Sequence, residues 1–184
     1  AAAAGIVSLG YTDVDGTGAD TVTIGSGFTN DLTINIKATT GDDSISASSY
    51  TKDLTIVIDS DSLTSADTLT GGSGTDTLRF TGAQGAVLTE TDFTAVTAFE
   101  VLEFGDNTAR TIAVDEETVA SGQTIRIEGT ALTTAVGTVD ASAVSTAGGA
   151  VSITLGGTGD HQITLGNGND TYTSTSTAGE DVTA

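Results

Sequence analysis

Apolar residues along this chain alternate with threonine, serine and asparagine in short runs, each bounded by glycine and aspartate. Leu32, Ile34 and Ile36 flank Thr33 and Asn35, and Leu54, Ile56 and Ile58 follow with the same spacing. A period of two puts one set of side chains on a buried face, so each run predicts a strand. Proline, which would remove a ladder donor, is absent from the whole sequence.

The runs also repeat at a longer interval. Residues 28–37 align on residues 50–59 at an offset of 22, with Phe28 on Tyr50, Asp31 on Asp53, then Leu, Ile and Ile in register. Two columns of acids emerge: Asp20, Asp43 and Asp67, at steps of 23 and 24, and Asp31, Asp53 and Asp76, at steps of 22 and 23. This spacing predicts an all-β, right-handed parallel β-solenoid, β-roll or β-helix like, with about 22–24 residues per coil. Each coil carries two main strands and two turns, with the acids along the two turn edges. Leu32, Leu54 and Leu78 are expected to share one interior row, and Val22, Ile45 and Leu69 another. Carboxylates stacked about 4.8 Å apart repel by about 3 kcal/mol per pair at an effective dielectric of about 20. A divalent cation between layers relieves that repulsion; bonds from Asp side chains to the corner backbone are the metal-free alternative.

One segment is more specific. Gly71-Gly72-Ser73-Gly74-Thr75-Asp76-Thr77-Leu78-Arg79 fits the nonapeptide G-G-x-G-x-D-x-U-x, with U apolar, at every specified position. Its glycines permit positive φ and close backbone approach, and Asp76 offers the hard oxygen that Ca²⁺ prefers. Residues 15–23 and 165–173 miss only the first glycine, while residues 156–164 keep the glycines and place His161 at the acid position. These segments resemble the repeats-in-toxin (RTX) family of secreted proteins. The strand Val139-Asp140-Ala141-Ser142 and the stretch Phe93–Phe104 are similar to repeat regions of that family's surface-layer proteins and large adhesins.

The resemblance implies Ca²⁺ as cofactor. Its candidate ligands are Asp15, Gly18, Asp20, Asp31, Gly41, Asp42, Asp43, Asp53, Asp67, Gly72, Gly74 and Asp76, then Gly157, Gly159, Asp160, Asn167, Asn169 and Asp170. It also implies one-step type I export to the cell surface. An acidic chain unpaired at low cytosolic calcium would stay unfolded for export and fold outside, where modules of this kind bind calcium at about 10⁻⁴–10⁻³ M.

By region, residues 5–80 read as a calcium-binding solenoid block and residues 137–177 as a second one. Between them, 81–136 departs from the nonapeptide and reads as an irregular β region or wider coils. A small aromatic core is expected there, with a helical turn near 90–97 and alternating strands around Ile112 and Val114, then Ile125 and Ile127. Residues 178–184 read as a trailing segment.

Charge narrows the partners. Twenty-five Asp and Glu against five Lys and Arg give −20, which opposes compaction and makes nucleic acid and anionic membranes poor partners. Hydrophobic residues at 37% exceed what a solvated linker carries. No cysteine is present, which excludes disulfides and thiolate metal sites. No apolar run approaches the roughly 18 residues of a membrane span. Neither end shows a signal peptide, and the lack of any Met points to a processed chain or a piece of a longer one.

Catalytic chemistry finds little support. His161 is the only histidine, with no G-x-S-x-G elbow to pair with it, and is expected as a degenerate ligand position or an exposed corner. Glu116 and Glu117 read as a solvated turn rather than a glycosidase pair. The five basic residues, Lys37, Lys52, Arg79, Arg110 and Arg126, read as local ion-pair partners. No enzyme is expected. The expectation is a structural, calcium-stabilised segment of a secreted surface protein, first a self-assembling surface-layer protein, with other copies of itself as partner and cell-surface polysaccharide as a second. The alternatives are the extender or binding region of a large RTX adhesin, the calcium-binding tail of a secreted hydrolase or toxin, and an ice-binding solenoid suggested by Thr-x-Thr pairs such as Thr21 and Thr23.

Overall fold

The structure is a computed structural model that describes residues 8–10, 18–36, 41–82, 84–119, 122–145, 149–177 and 179–184. It is nearly all β, a parallel β-solenoid with almost no helix. In chain order the first nine strands are β1 Ser8–Gly10, β2 Thr21–Thr23, β3 Leu32–Ile36, β4 Ser44–Ser46, β5 Leu54–Asp59, β6 Thr68–Thr70, β7 Thr77–Thr81, β8 Ala86–Leu88 and β9 Val96–Thr97. The remaining eight are β10 Val101–Phe104, β11 Arg110–Asp115, β12 Thr124–Gly129, β13 Gly137–Ala143, β14 Ala150–Leu155, β15 Gln162–Thr164, β16 Thr171–Ser174 and β17 Asp181–Thr183.

One eight-stranded sheet, β1-β3-β5-β7-β10-β12-β14-β16, runs the length of the molecule. The return strands form two further sheets, β2-β4-β6-β9 and β8-β11-β13-β15-β17. The change from one to the other falls between β7 and β10, in the single coil that carries strands of both. A 3-10 turn at Glu90–Phe93 joins them, closed by the N–H and Oγ1 of Thr89 donating to Asp92 Oδ2 at 2.8 and 2.9 Å. Phe93 is buried there, edge-on to Phe80, with ring centres 6.1 Å apart and planes at 82°. The expected aromatic core and helical turn are therefore present.

Alternation gives the core its rows. Ile34, Ile56, Leu78, Leu102, Ile127 and Ile153 lie opposite one another in successive strands of the long sheet, and all six are buried. Each contributes about 1.5–3 kcal/mol relative to an exposed position. The parallel row Ile36, Ile58, Phe80 and Phe104 reaches Gly129 and then Leu155. A Cβ at Gly129 would lie 2.6 Å from Leu155 and 2.9 Å from Leu132, so those side chains have filled the space it leaves.

The second expected row holds: Val22, Ile45 and Leu69 are in register, and Val96 extends them. The first needs correction. Leu78 pairs with Ile56, two residues along from Leu54, because Thr55 lies opposite Thr77. The Leu32–Leu54 row therefore continues into Asp76, not Leu78. The trailing segment also differs from expectation, because 181–183 form β17, which pairs with β15.

Candidate functional site

The acids predicted as ligands gather at the coil corners, where their carboxylates meet backbone N–H groups. In the first column the N–H of Asp20 donates to Asp43 Oδ1 at 3.1 Å, and that of Asp43 donates to Asp67 Oδ1 at 2.7 Å. Asp67 Oδ2 accepts from the N–H and Oγ1 of Thr64 at 2.8 and 3.1 Å. Asp43 and Asp67 precede β4 and β6 on the inward side, and both are buried. The Asp43 and Asp67 carboxylates each face a backbone N–H of the neighbouring coil, which offsets the predicted repulsion there, while Asp20 Oδ2 at the start of the column is buried without a hydrogen-bond partner.

The second column divides. Asp31 and Asp53 are exposed; the N–H of Thr75 donates to Asp53 Oδ1 at 2.7 Å, and that of Asp53 to Asp31 Oδ1 at 3.4 Å. Asp76, one register place further on, points inward and is fully buried. Its Oδ1 accepts the N–H of Leu54 at 2.8 Å, and its Oδ2 that of Gly72 at 2.5 Å. The N–H of Asp76 in turn donates to Glu100 Oε2 at 2.8 Å, 24 residues on. Burial raises the Asp76 pKa, as do the charges of Glu100 and Asp53, while the two N–H bonds pull it down; the net direction is up.

The C-terminal motifs repeat this construction. Asp170 Oδ1 accepts the N–H of Val151 at 2.8 Å, and Oδ2 that of Gly166 at 3.0 Å. At the degenerate motif His161 is fully buried, which corrects the expectation of an exposed corner. Its Nδ1 lies 3.0 Å from the N–H of Gly137, and its Nε2 lies 2.9 Å from the carbonyl of Gly156. With Nδ1 accepting, the ring proton sits on Nε2 and donates to Gly156 O.

Motif glycines let the turns stack. A Cβ at Gly74 would lie 2.5 Å from the carbonyl oxygen of Lys52 in the coil below. Gly72 meets the Tyr50 carbonyl, Gly159 that of Ala135 and Gly41 that of Gly18, closer still. Only Gly157 among the predicted glycines also has the positive φ first expected of them, at +90°. Asp42, Asp160, Asn167 and Asn169 are exposed on the turns, and Asp15 lies outside the described residues.

Three features were missed in the sequence. Glu100 continues the second column and was legible from its spacing alone. Asn107 Oδ1 accepts three consecutive N–H groups, of Thr133, Thr134 and Ala135, at 2.8–3.0 Å. Arg110 is buried and donates to Phe80 O at 3.0 Å and to Asp106 Oδ1 at 2.7 Å, while Gly82 N–H donates to Asp106 Oδ2 at 2.9 Å. Burial pushes the Asp106 carboxyl up, but bonds from Arg110, Thr108 and Gly82 outweigh it and leave its pKa lowered. At this corner the chain supplies its own cation. Arg79–Glu103 at 2.8 Å and Arg126–Glu128 at 3.4 Å are the expected local ion pairs.

Calcium needs about six to eight oxygens directed at one point. At Asp76 and Asp170 both carboxylate oxygens face N–H donors, whose positive ends oppose a cation. Among the described residues no three Asp, Glu or His side chains converge on a metal position. The motif carboxylates are thus turned to backbone N–H groups and not to a point shared by several acids, and the predicted ligand carboxylates left open to solvent are the exposed ones, Asp31, Asp42, Asp53 and Asp160. Comparison of the chain with protein-family models, with curated proteins and with solved structures found no match.

Proposed function

We propose that this chain is a structural segment of a secreted bacterial cell-surface protein, first of a self-assembling surface-layer protein. Copies meet end to end through the open solenoid, and flank to flank through divalent cations such as calcium. The observation that carries this reading is the stacked parallel solenoid with acids along its flanks, whose strands β16 and β17 offer an edge on which a further coil can stack. Ile112, Val139, Ile163 and Val182 form one row in register; the first three are buried, but Val182 is 44% exposed. Ile153 is buried while its partner Tyr172 is only half covered. Among the described residues no strand pairs the outer edges of β16 and β17. Backbone donors and an apolar row open at this edge are what a further coil covers, whether a continuation of the same protein or a second copy brings it.

Charge sets the condition. At −20 the copies repel, and exposed acids such as Asp31, Asp53 and Asp160 line the flanks, so lateral contact requires cations between them. Light scattering at high protein concentration tests this. Calcium should produce assemblies that chelator disperses, and Val182→Glu should block end-to-end growth while leaving the β-sheet circular dichroism intact. Calcium-loaded protein that stays strictly monomeric would favour an adhesin extender or the tail of a secreted hydrolase instead.

A further inference from the structure

Three corners answer the same structural demand with different chemistry. At each, the first or second residue of a strand in one coil offers a backbone N–H toward the next coil. Leu54 gives its N–H to Asp76, Val151 to Asp170 and Gly137 to His161, at 2.8, 2.8 and 3.0 Å. Each acceptor then binds its own turn, Asp76 and Asp170 through the N–H four residues earlier, His161 through the carbonyl five residues earlier. The aspartates need a turn that donates; the histidine, which has one acceptor and one donor, needs a turn that accepts. The turn before His161 presents the Gly156 carbonyl for that purpose. The replacement of the motif acid by His161 is therefore matched by its surroundings.

We infer that this solenoid closes its corners with its own side-chain acceptors, with Asp76, Asp170 and His161 equivalent in that role, and that its fold forms without calcium. The sequence motif marks a hydrogen-bonded corner in this chain rather than an ion site. Two observations stand behind this independently of each other. The oxygens of both motif aspartates are directed at N–H groups, and the position where a ligand carboxylate is missing is fully buried and hydrogen-bonded on both ring nitrogens. The inference concerns the fold of the single chain; the cations invoked between copies act on exposed acids that these corners do not include.

The test is folding of the dilute chain in excess chelator and in millimolar calcium, followed by far-UV circular dichroism and thermal melting. The expected result is the same β-sheet spectrum and the same melting midpoint in both. In ¹⁵N NMR of the chelated protein, His161 should show the Nε2-protonated neutral ring, and the Gly137 amide should resist hydrogen exchange. His161→Leu should lose that protection and lower the midpoint equally with and without calcium. A chelated chain that is disordered and gains β-sheet on adding calcium overturns the inference. So does a Gly137 amide that exchanges freely in the chelated wild type, a readout that stands if the variant does not fold. Failure of assembly in the scattering experiment would leave these results unchanged.

Discussion

Asp53 and Asp76 stand 23 positions apart in one column of acids, yet one faces solvent and the other is sealed in the core. Thr75, not Asp76, lies beside Asp53 and donates its N–H to it. A shift of one residue along a strand exchanges its two faces, and the shift here turns a surface carboxylate into a buried acceptor for Leu54.

Truncating that acceptor should weaken the fold. Asp76→Ala leaves the N–H groups of Leu54 and Gly72 without their partner, and removal of a charged acceptor from buried donors costs about 3 kcal/mol. Urea unfolding should show a loss of that order. Asp53→Ala, on the exposed face, should lose under about 1 kcal/mol. Similar losses at the two positions would show that burial does not distinguish them.

The glycine at 74 is a steric requirement. Gly74→Ala sets a methyl 2.5 Å from the Lys52 carbonyl, and the turns must separate or the backbone distort. A loss of about 2 kcal/mol or more is expected by the same urea measurement. Gly25→Ala, where nothing lies within 4 Å of the added carbon, serves as the neutral control.

Stability should respond to pH through Asp76. Its folded-state pKa is raised above the ordinary 3.8, so the folded chain holds that proton more tightly than the unfolded chain. The resulting stabilisation is present below the ordinary value and is lost as pH rises through the folded pKa. Between about pH 4 and pH 7 the wild type should lose more stability than Asp76→Asn, when both are measured by urea unfolding at fixed ionic strength. A steeper decline in the variant would assign the opposite sign to this group.

The aromatic pair anchors the coil in which the return sheets change over. Phe80→Ala removes a fully buried ring and its edge contact with Phe93, and a loss of about 3–5 kcal/mol follows. Thermal melting should show this as a large fall in the midpoint; a small one would mean that the coil re-packs.

Much of this architecture was written locally. Alternation in Leu32–Ile36 and Leu54–Asp59 gives strands with one buried face, and the 22-residue spacing stacks them, because identical patterns at fixed distance find the same partners. The inner row Val22, Ile45 and Leu69 followed from that spacing alone. What tertiary structure decided was which way each acid points and what it meets. Asp76 faces inward with Leu78, two residues on, by alternation, but the pairing of Thr55 with Thr77 decides that it meets the Leu54 N–H, and no local feature of its nonapeptide states that partner. His161 takes over an aspartate's bond only because the Gly156 carbonyl and the Gly137 N–H, 24 residues away, arrive at its two nitrogens. Periodicity fixes where a residue sits along a coil; the neighbouring coil, supplied by the fold, fixes what its side chain can bind.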